Sequence, residues 1–268
     1  WYTGGGLIRD VNIIYTDAEI YFNRHSLYIT TTNNKVVNIM AEVINRTRSN
    51  SVNLHTIIKD QNGMVVYDKK VSAAINRKNP VHEIELAPIE IENPHLWSTV
   101  NPYLYTAYVY ILDDNGNVKD SAKHRFGIRH IEYSPEFGLK LNGEKVLLKG
   151  IANHHSLGAL GAAAYPKAIE KRLRMLKDFG FNHVRCSHNP YSKSFLELCD
   201  SLGILVVDEL YDKWLDQFCG GRKPWMQLWP YDLPEWVKRD RNHPSVIMWS
   251  LGNELQTYSN LPFGDWGV

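Results

Sequence analysis

Cysteine is scarce: Cys186, Cys199 and Cys219 are the three in 268 residues, an odd number with no CxxC pair. That excludes a disulfide-stapled framework and a zinc-finger spacing, and it reads them as small apolar core residues. An excess of one charge is lacking too, since 30 Lys plus Arg against 29 Asp plus Glu leave +1. Nucleic-acid binders usually carry a basic surplus on one face, so no DNA or RNA partner is expected. No stretch approaches the roughly 18 consecutive apolar residues of a membrane-spanning helix. The opening Trp1-Tyr2-Thr3-Gly4-Gly5-Gly6 has neither the basic start nor the apolar run of a signal peptide and reads like the middle of a domain; cellular location is not legible from it. Disorder is excluded by what is present: 8 Trp, 15 Tyr and 8 Phe demand a packed interior.

The grammar changes once along the chain. Up to about residue 130 it is period two and rich in strand formers. The pattern predicts strands at Ser26–Thr32, Val36–Asn45, Val52–Asp60, Met64–Val71, His82–Ile91, Tyr103–Leu112 and Val118–Phe126. Thr32-Asn33-Asn34-Lys35, Gln61-Asn62-Gly63 and Asp113-Asp114-Asn115-Gly116-Asn117 supply the turns. Short strands at this spacing predict an immunoglobulin-like antiparallel sandwich, without the inter-sheet disulfide because no Cys falls in it. Trp97, Tyr103, Tyr105, Tyr108 and Tyr110 are read as core and strand-face residues rather than a sugar platform. Leu7–Tyr15 reads as one further strand with no partner in the chain, and so as the remnant of a preceding domain.

Beyond a hairpin-like bridge, Gly138–Lys145, strand and helix alternate. Strands are predicted at Val146–Ile151, His183–Cys186, Ile204–Val207 and Val246–Ser250. Between them lie a helix from Pro166 to Gly180, a helix over Ser194–Leu202 stopped by Gly203, and a helix over Leu233–Arg241. Four apolar strands with helical crossovers require a parallel sheet buried on both faces. Reactive side chains follow every strand: His154 and His155, then Ser187 and His188, then Asp208, Glu209 and Asp212, then Asn253 and Glu254. Such convergence belongs to the C-terminal face of a barrel, and the first βα turn lacks the GxGxxG of a dinucleotide-binding sheet. The fold class expected is multidomain β plus α/β, with a sandwich (26–130) followed by the N-terminal half of a (β/α)8 TIM barrel (131–268), and 1–25 left over. A catalytic metal is not expected, because His154, His155, His188 and Glu209 lie on three loops with no HExxH or other local ligand spacing.

One long stretch is specific: Asp240-Arg241-Asn242-His243-Pro244-Ser245-Val246-Ile247-Met248-Trp249-Ser250-Leu251-Gly252-Asn253-Glu254. It resembles the acid/base signature of glycoside hydrolase family 2, which includes β-galactosidases, β-glucuronidases and β-mannosidases. Asn182-His183-Val184-Arg185-Cys186-Ser187-His188-Asn189-Pro190 resembles the family's other signature, with Asn189 where Tyr is more usual. Cys199-Asp200, Gly203–Glu209, Phe126-Gly127-Ile128-Arg129, Leu141-Asn142-Gly143 and Leu148-Lys149-Gly150 extend the likeness. Gly6–Val11 is similar to the end of the family's N-terminal jelly roll, which gives residues 1–25 their place.

The resemblance implies a retaining exo-β-glycosidase with Glu254 as general acid and then general base. A carboxyl group suits both tasks, because the leaving oxygen needs a proton and the incoming water must lose one at the same place. Asn253 matches the residue that hydrogen-bonds the sugar 2-hydroxyl; an isolated Asn-Glu pair would otherwise read as a solvated helix start. His188 matches a histidine of the sugar subsite, and Arg185 an arginine near the nucleophile, the alternative being a structural ion pair with a core carboxylate. His155 is assigned to substrate binding from the His-His-Ser-Leu-Gly-Ala run, one of its two histidines being left to packing. Asp212 would accept sugar hydroxyls and Trp214 would stack on a pyranose face, the alternatives being a cap and a core aromatic. Some family members bind magnesium or sodium near the acid/base, but the Glu-x-His element of those sites is missing here, so no cofactor carries over.

The same likeness implies an oligosaccharide or β-glycoside substrate, and the His-His-Ser-Leu-Gly-Ala-Leu-Gly-Ala-Ala run favours a β-galactosidase over a β-glucuronidase or β-mannosidase. A retaining mechanism needs a second carboxylate about 5 Å from the first, and only Asp265 follows Glu254. The chain therefore reads as part of a catalytic barrel, inactive alone, with a homodimer covering its open edge and a bacterial, periplasmic or secreted parent. A non-catalytic carbohydrate-binding module built on the sandwich is the alternative.

Overall fold

A computed structural model describes residues 7–76, 78–213 and 225–254. The chain divides into two compact units, Asn12–Leu147 with Arg241–Pro244, and Leu148–Asp240 with its flanking segments.

The first unit is an immunoglobulin-like sandwich. Its strands are β1 (Ile20–Thr32), β2 (Val36–Asn45), β3 (Ser51–Lys59), β4 (Val65–Ala74), β5 (Val81–Glu85), β6 (Ile89–Glu90), β7 (Tyr105–Leu112) and β8 (Val118–Phe126). One sheet runs β1-β2-β5, with β6 also paired to β2, and the other runs β4-β3-β7-β8; every pairing is antiparallel. Alternation places Val37, Ile39, Ala41 and Val43 of β2 inward, against Leu54, Ile58, Ala107, Val109 and Ile111 of the facing sheet. Tyr105 is buried in this core, while Tyr108 and Tyr110 stand on the opposite face of β7, rings parallel at 6.4 Å. Trp97 is buried as well.

Two expectations fail here for identifiable reasons. Leu7–Tyr15 forms no strand, and β1 instead begins at Ile20, crossing a register shift between Phe22 and Leu27 where His25 takes a positive φ. The single strand expected over His82–Ile91 is divided in two, because Pro88 has no N–H to give to a ladder.

Two motif residues have structural work in this unit. Asn242 is buried and acts as a substitute strand neighbour, its Oδ1 accepting from Ile29 N at 2.8 Å and its Nδ2 donating to Leu27 O at 2.8 Å. Both groups lie on β1, an outer strand of its sheet, so one side chain satisfies backbone that would otherwise be buried unpaired. Gly127 is required by close approach, since a Cβ there would sit 2.6 Å from Trp97 Cβ. A small sheet follows, β9 (Ile131–Ser134), β10 (Gly138–Leu141) and β11 (Glu144–Lys145), in the order β11-β10-β9.

The second unit carries β12 (Gly150–His154), α1 (Pro166–Asp178), β13 (His183–Ser187), α2 (Lys193–Leu202), β14 (Leu205–Lys213), α3 (Trp225–Asp240) and β15 (Val246–Glu254). The strands pair in parallel in the order β12-β13-β14-β15. That is the sequential winding of a (β/α)8 barrel, present in part, with no closed ring among the described residues. Val184, Cys186, Val206 and Val246 face Ile169 and Leu173 of α1 and Leu196 and Cys199 of α2, forming the core on the helix side. Pro166 opens α1, Ser192 caps α2 by accepting from Phe195 N, and α2 ends at Gly203. Asp200 ties α2 to the start of β15, accepting from Ser245 N at 3.1 Å and Ser245 Oγ at 2.6 Å.

The third and fourth strands are longer than periodicity predicts. The β14–β15 ladder continues past Asp208↔Trp249 to Lys213↔Glu254. Asp208, Glu209, Asp212, Asn253 and Glu254 are therefore strand residues rather than loop residues. Helix α3 likewise starts before Leu233, the first residue of the expected helix, and holds Pro230 and Pro234 inside it.

Candidate active site

The face of the parallel sheet opposite the helices carries a cluster of polar side chains. Since Val184 and Cys186 of β13 point to the helices, Arg185 between them points the other way, as does Glu209 of β14. Glu209 is fully buried, and both of its oxygens are taken. Oε2 accepts from Arg185 Nε at 3.0 Å, Arg185 Nη2 at 2.7 Å and Ser250 Oγ at 2.7 Å, while Oε1 meets His188 Nδ1 at 2.5 Å. Arg185 Nη2 also reaches Asn253 Oδ1 at 2.9 Å, and Asn253 Nδ2 donates to Asp212 Oδ1 at 3.3 Å. Four residues singled out in the sequence, Arg185, His188, Asp212 and Asn253, are thus joined in one network across β13, β14 and β15. Glu254 ends β15 with an exposed side chain, directly after Asn253. Trp214 lies outside the described residues.

His155 stands apart from this network. Its Nε2 lies 3.1 Å from Ser192 Oγ, its ring packs edge-on against Tyr191 at 4.7 Å, and its Nδ1 is buried with no hydrogen-bond partner. Burial, then the Arg9 charge, lowers its pKa to about 4. The neighbouring histidine is the one that meets the network: His154 packs edge-on against His188 at 5.2 Å. Burial and the His188 ring next to it hold His154 below the ordinary histidine value. His154 is the last residue of β12, and His155 follows it outside the strand.

Glu209, the hub, stands in the sequence among the reactive residues after the third strand, in the family likeness and as a rival metal ligand, but was not assigned a role in the site. The signal that could have found it was a carboxylate closing an apolar strand with an arginine 24 residues upstream, because a buried charge needs a partner. No group of three or more His, Cys, Asp or Glu with metal-ligand geometry occurs among the described residues.

A second buried carboxylate lies on the helix side. Asp208 is fully buried; its Oδ2 accepts from Trp236 Nε1 at 2.8 Å, and its Oδ1 has no hydrogen-bond partner. Beside it, Asp240 holds the Arg239 guanidinium, with Nε at 2.7 Å from Oδ1. Burial, then the Asp240 charge, raises the Asp208 pKa to about 8. The folded chain therefore keeps a proton that the unfolded chain releases near 3.8. Between those values the folded state binds more protons, so this contribution to stability is whole below pH ~4 and falls as pH rises towards 8. Asp208→Asn, which keeps an acceptor for Trp236, is expected to flatten that decline. Urea unfolding at pH 5, 6.5 and 8 checks it; an unchanged slope in the variant would refute the assignment.

Comparison with known proteins follows the same architecture. Residues 20–129 match the model of glycosyl hydrolases family 2, and residues 136–262 that of the glycosyl hydrolases family 2 TIM barrel domain. A β-galactosidase of Bacteroides ovatus is 33% identical over 265 residues, covering 95% of this chain and 30% of that protein. A putative β-glucuronidase of Formosa agariphila is 33% identical over 263 residues, covering 96% of this chain and 24% of that protein. Among solved structures, a family 2 member from Bacteroides cellulosilyticus superposes with a TM-score of 0.85 at 38% identity, over 96% of this chain and 35% of that one. The chain thus spans about a third or less of the length of these relatives. With both family models matched in order on a sandwich and a partial TIM barrel, the chain belongs to glycoside hydrolase family 2.

Proposed function

We propose that these residues form part of a retaining exo-β-glycosidase, most closely a β-galactosidase, in which Glu254 protonates the leaving glycosidic oxygen and then deprotonates water. The observation that carries the reading is Asn253, fixed by Arg185 and Asp212 at the end of β15 directly before Glu254. An amide held in this way is pre-organised for a sugar hydroxyl, a contact that strengthens as the ring approaches its oxocarbenium-like transition state. His188 and Asp212 supply further hydrogen-bonding groups for the sugar, and Trp214 an apolar surface.

The nucleophile is proposed to lie outside the described residues. Glu209 has both oxygens occupied and no exposure, which leaves it no lone pair aimed at an anomeric carbon. A polypeptide of these 268 residues alone is accordingly proposed to be inactive. The full-length protein is expected to hydrolyse nitrophenyl β-galactoside at least about tenfold more efficiently than the β-glucuronide, a margin of ~1.4 kcal/mol in transition-state binding. Proton NMR of the first product should show the β-anomer. Initial release of the α-anomer would overturn the retaining mechanism; a preference for the glucuronide would move the reading to a β-glucuronidase, the activity named for the Formosa agariphila relative.

A further inference from the structure

We propose that Glu209 is the positioning residue of this site, setting both the orientation of Arg185 and the tautomer of His188; the proposal rests on the glycosidase reading above. Four donors converge on one carboxylate: Arg185 Nε, Arg185 Nη2, Ser250 Oγ and His188 Nδ1. Nε and Nη2 of Arg185 both close on the single oxygen Oε2 of Glu209, and two donors on one acceptor restrain the guanidinium plane as well as its place. With its plane fixed, Nη2 has a remaining direction along which it meets Asn253 Oδ1. That contact turns the Asn253 amide so that Nδ2 faces Asp212. Glu209 therefore acts on the acid/base strand through Arg185, without a contact to Asn253 of its own among the described residues.

Its effect on His188 is separate. Oε1 faces Nδ1 as an acceptor, which places a hydrogen on Nδ1 and makes Nε2 the ring nitrogen turned away from the carboxylate. A glutamine at 209 keeps the shape and removes this logic. One oxygen can serve Arg185 and Ser250, but the amide nitrogen then faces Nδ1 with hydrogens of its own. Either His188 takes the other tautomer, or Arg185 loses its paired contact.

The test is kinetic and uses the full-length enzyme on a β-galactoside with a poorly activated leaving group. Glu209→Gln is expected to lower kcat about 100-fold while KM stays within about threefold, the pattern of a group that aligns the transition state rather than the ground state. In an Arg185→Gln background the same substitution is expected to add less than the full 100-fold, because only the part that runs through His188 then remains. A glutamate that only held the sheet together would instead lower the melting temperature and leave kcat per folded molecule unchanged. Glu254→Gln, measured alongside, separates the two ideas. If it is inactive while folded Glu209→Gln stays within threefold of wild type, the positioning role is wrong and the glycosidase reading stands. Should Glu254→Gln turn over like wild type, the reading fails and the proposal with it. Were Glu209→Gln not to fold, Glu209→Asp decides: its carboxylate, one methylene short, should lose at least about tenfold in kcat, and a wild-type rate would refute the proposal.

Discussion

Alanine at position 150 is expected to destabilise the parallel-sheet unit by about 3 kcal/mol, the upper part of the range for overpacking. Gly150 is the first residue of β12 and pairs with His183 at the first residue of β13. A Cβ built there would lie 2.3 Å from His183 Nδ1 and 2.4 Å from the His183 carbonyl oxygen. The imidazole has room to rotate in principle, but the carbonyl belongs to the backbone and is held in the ladder. Asn182, one residue earlier, closes the same corner: Lys149 N donates to its Oδ1 at 2.8 Å, and its own N donates to Lys149 O at 2.8 Å. A methyl group must therefore push two hydrogen-bonded strands apart. A loss of ~3 kcal/mol is roughly a hundredfold in the folded-to-unfolded ratio, visible as a displaced urea midpoint with unchanged slope. A change below about 0.5 kcal/mol would show that the strands separate freely at this corner and would contradict the packing described.

Gly150 illustrates what was legible in the sequence and what was not. Leu148-Lys149-Gly150 was recognisable as part of a family pattern, yet nothing in it says that the glycine faces a carbonyl. Asn242 is the same case: it stands in the acid/base motif, and its work is to satisfy β1 of the sandwich. The architecture was readable because period two and βα alternation are properties of the chain itself. Strand ends were less so, since β14 and β15 extend each other through a ladder that neither encodes alone. At the site, Arg185, His188, Asp212 and Asn253 were legible by residue type and motif. Glu209 was passed over as a site residue because a buried carboxylate is identified by its partners, and those come from β13, the residue just beyond it, and β15. The difference between His154 and His155 turned on where β12 ends, since His154 closes the strand and His155 lies beyond it.

The central claim is that Glu254 moves protons, and the leaving group tests it. Breaking the glycosidic bond to a sugar or alkyl alcohol leaves an alkoxide unless it is protonated as it departs. A dinitrophenolate departs unaided. Removing a general acid costs about 10² to 10⁴ in rate where protonation is needed and little where it is not. For the full-length enzyme, Glu254→Gln is expected to lower kcat/KM on a methyl or disaccharide β-galactoside by about 10³, or ~4 kcal/mol of transition-state stabilisation. On dinitrophenyl β-galactoside the fall should be less than about tenfold, since kcat/KM reports the first, glycosylating step. Thermal unfolding of the variant should match wild type, because the side chain is exposed at the end of β15. Equal losses on the two substrates, or equal rates with wild type on both, would contradict the account.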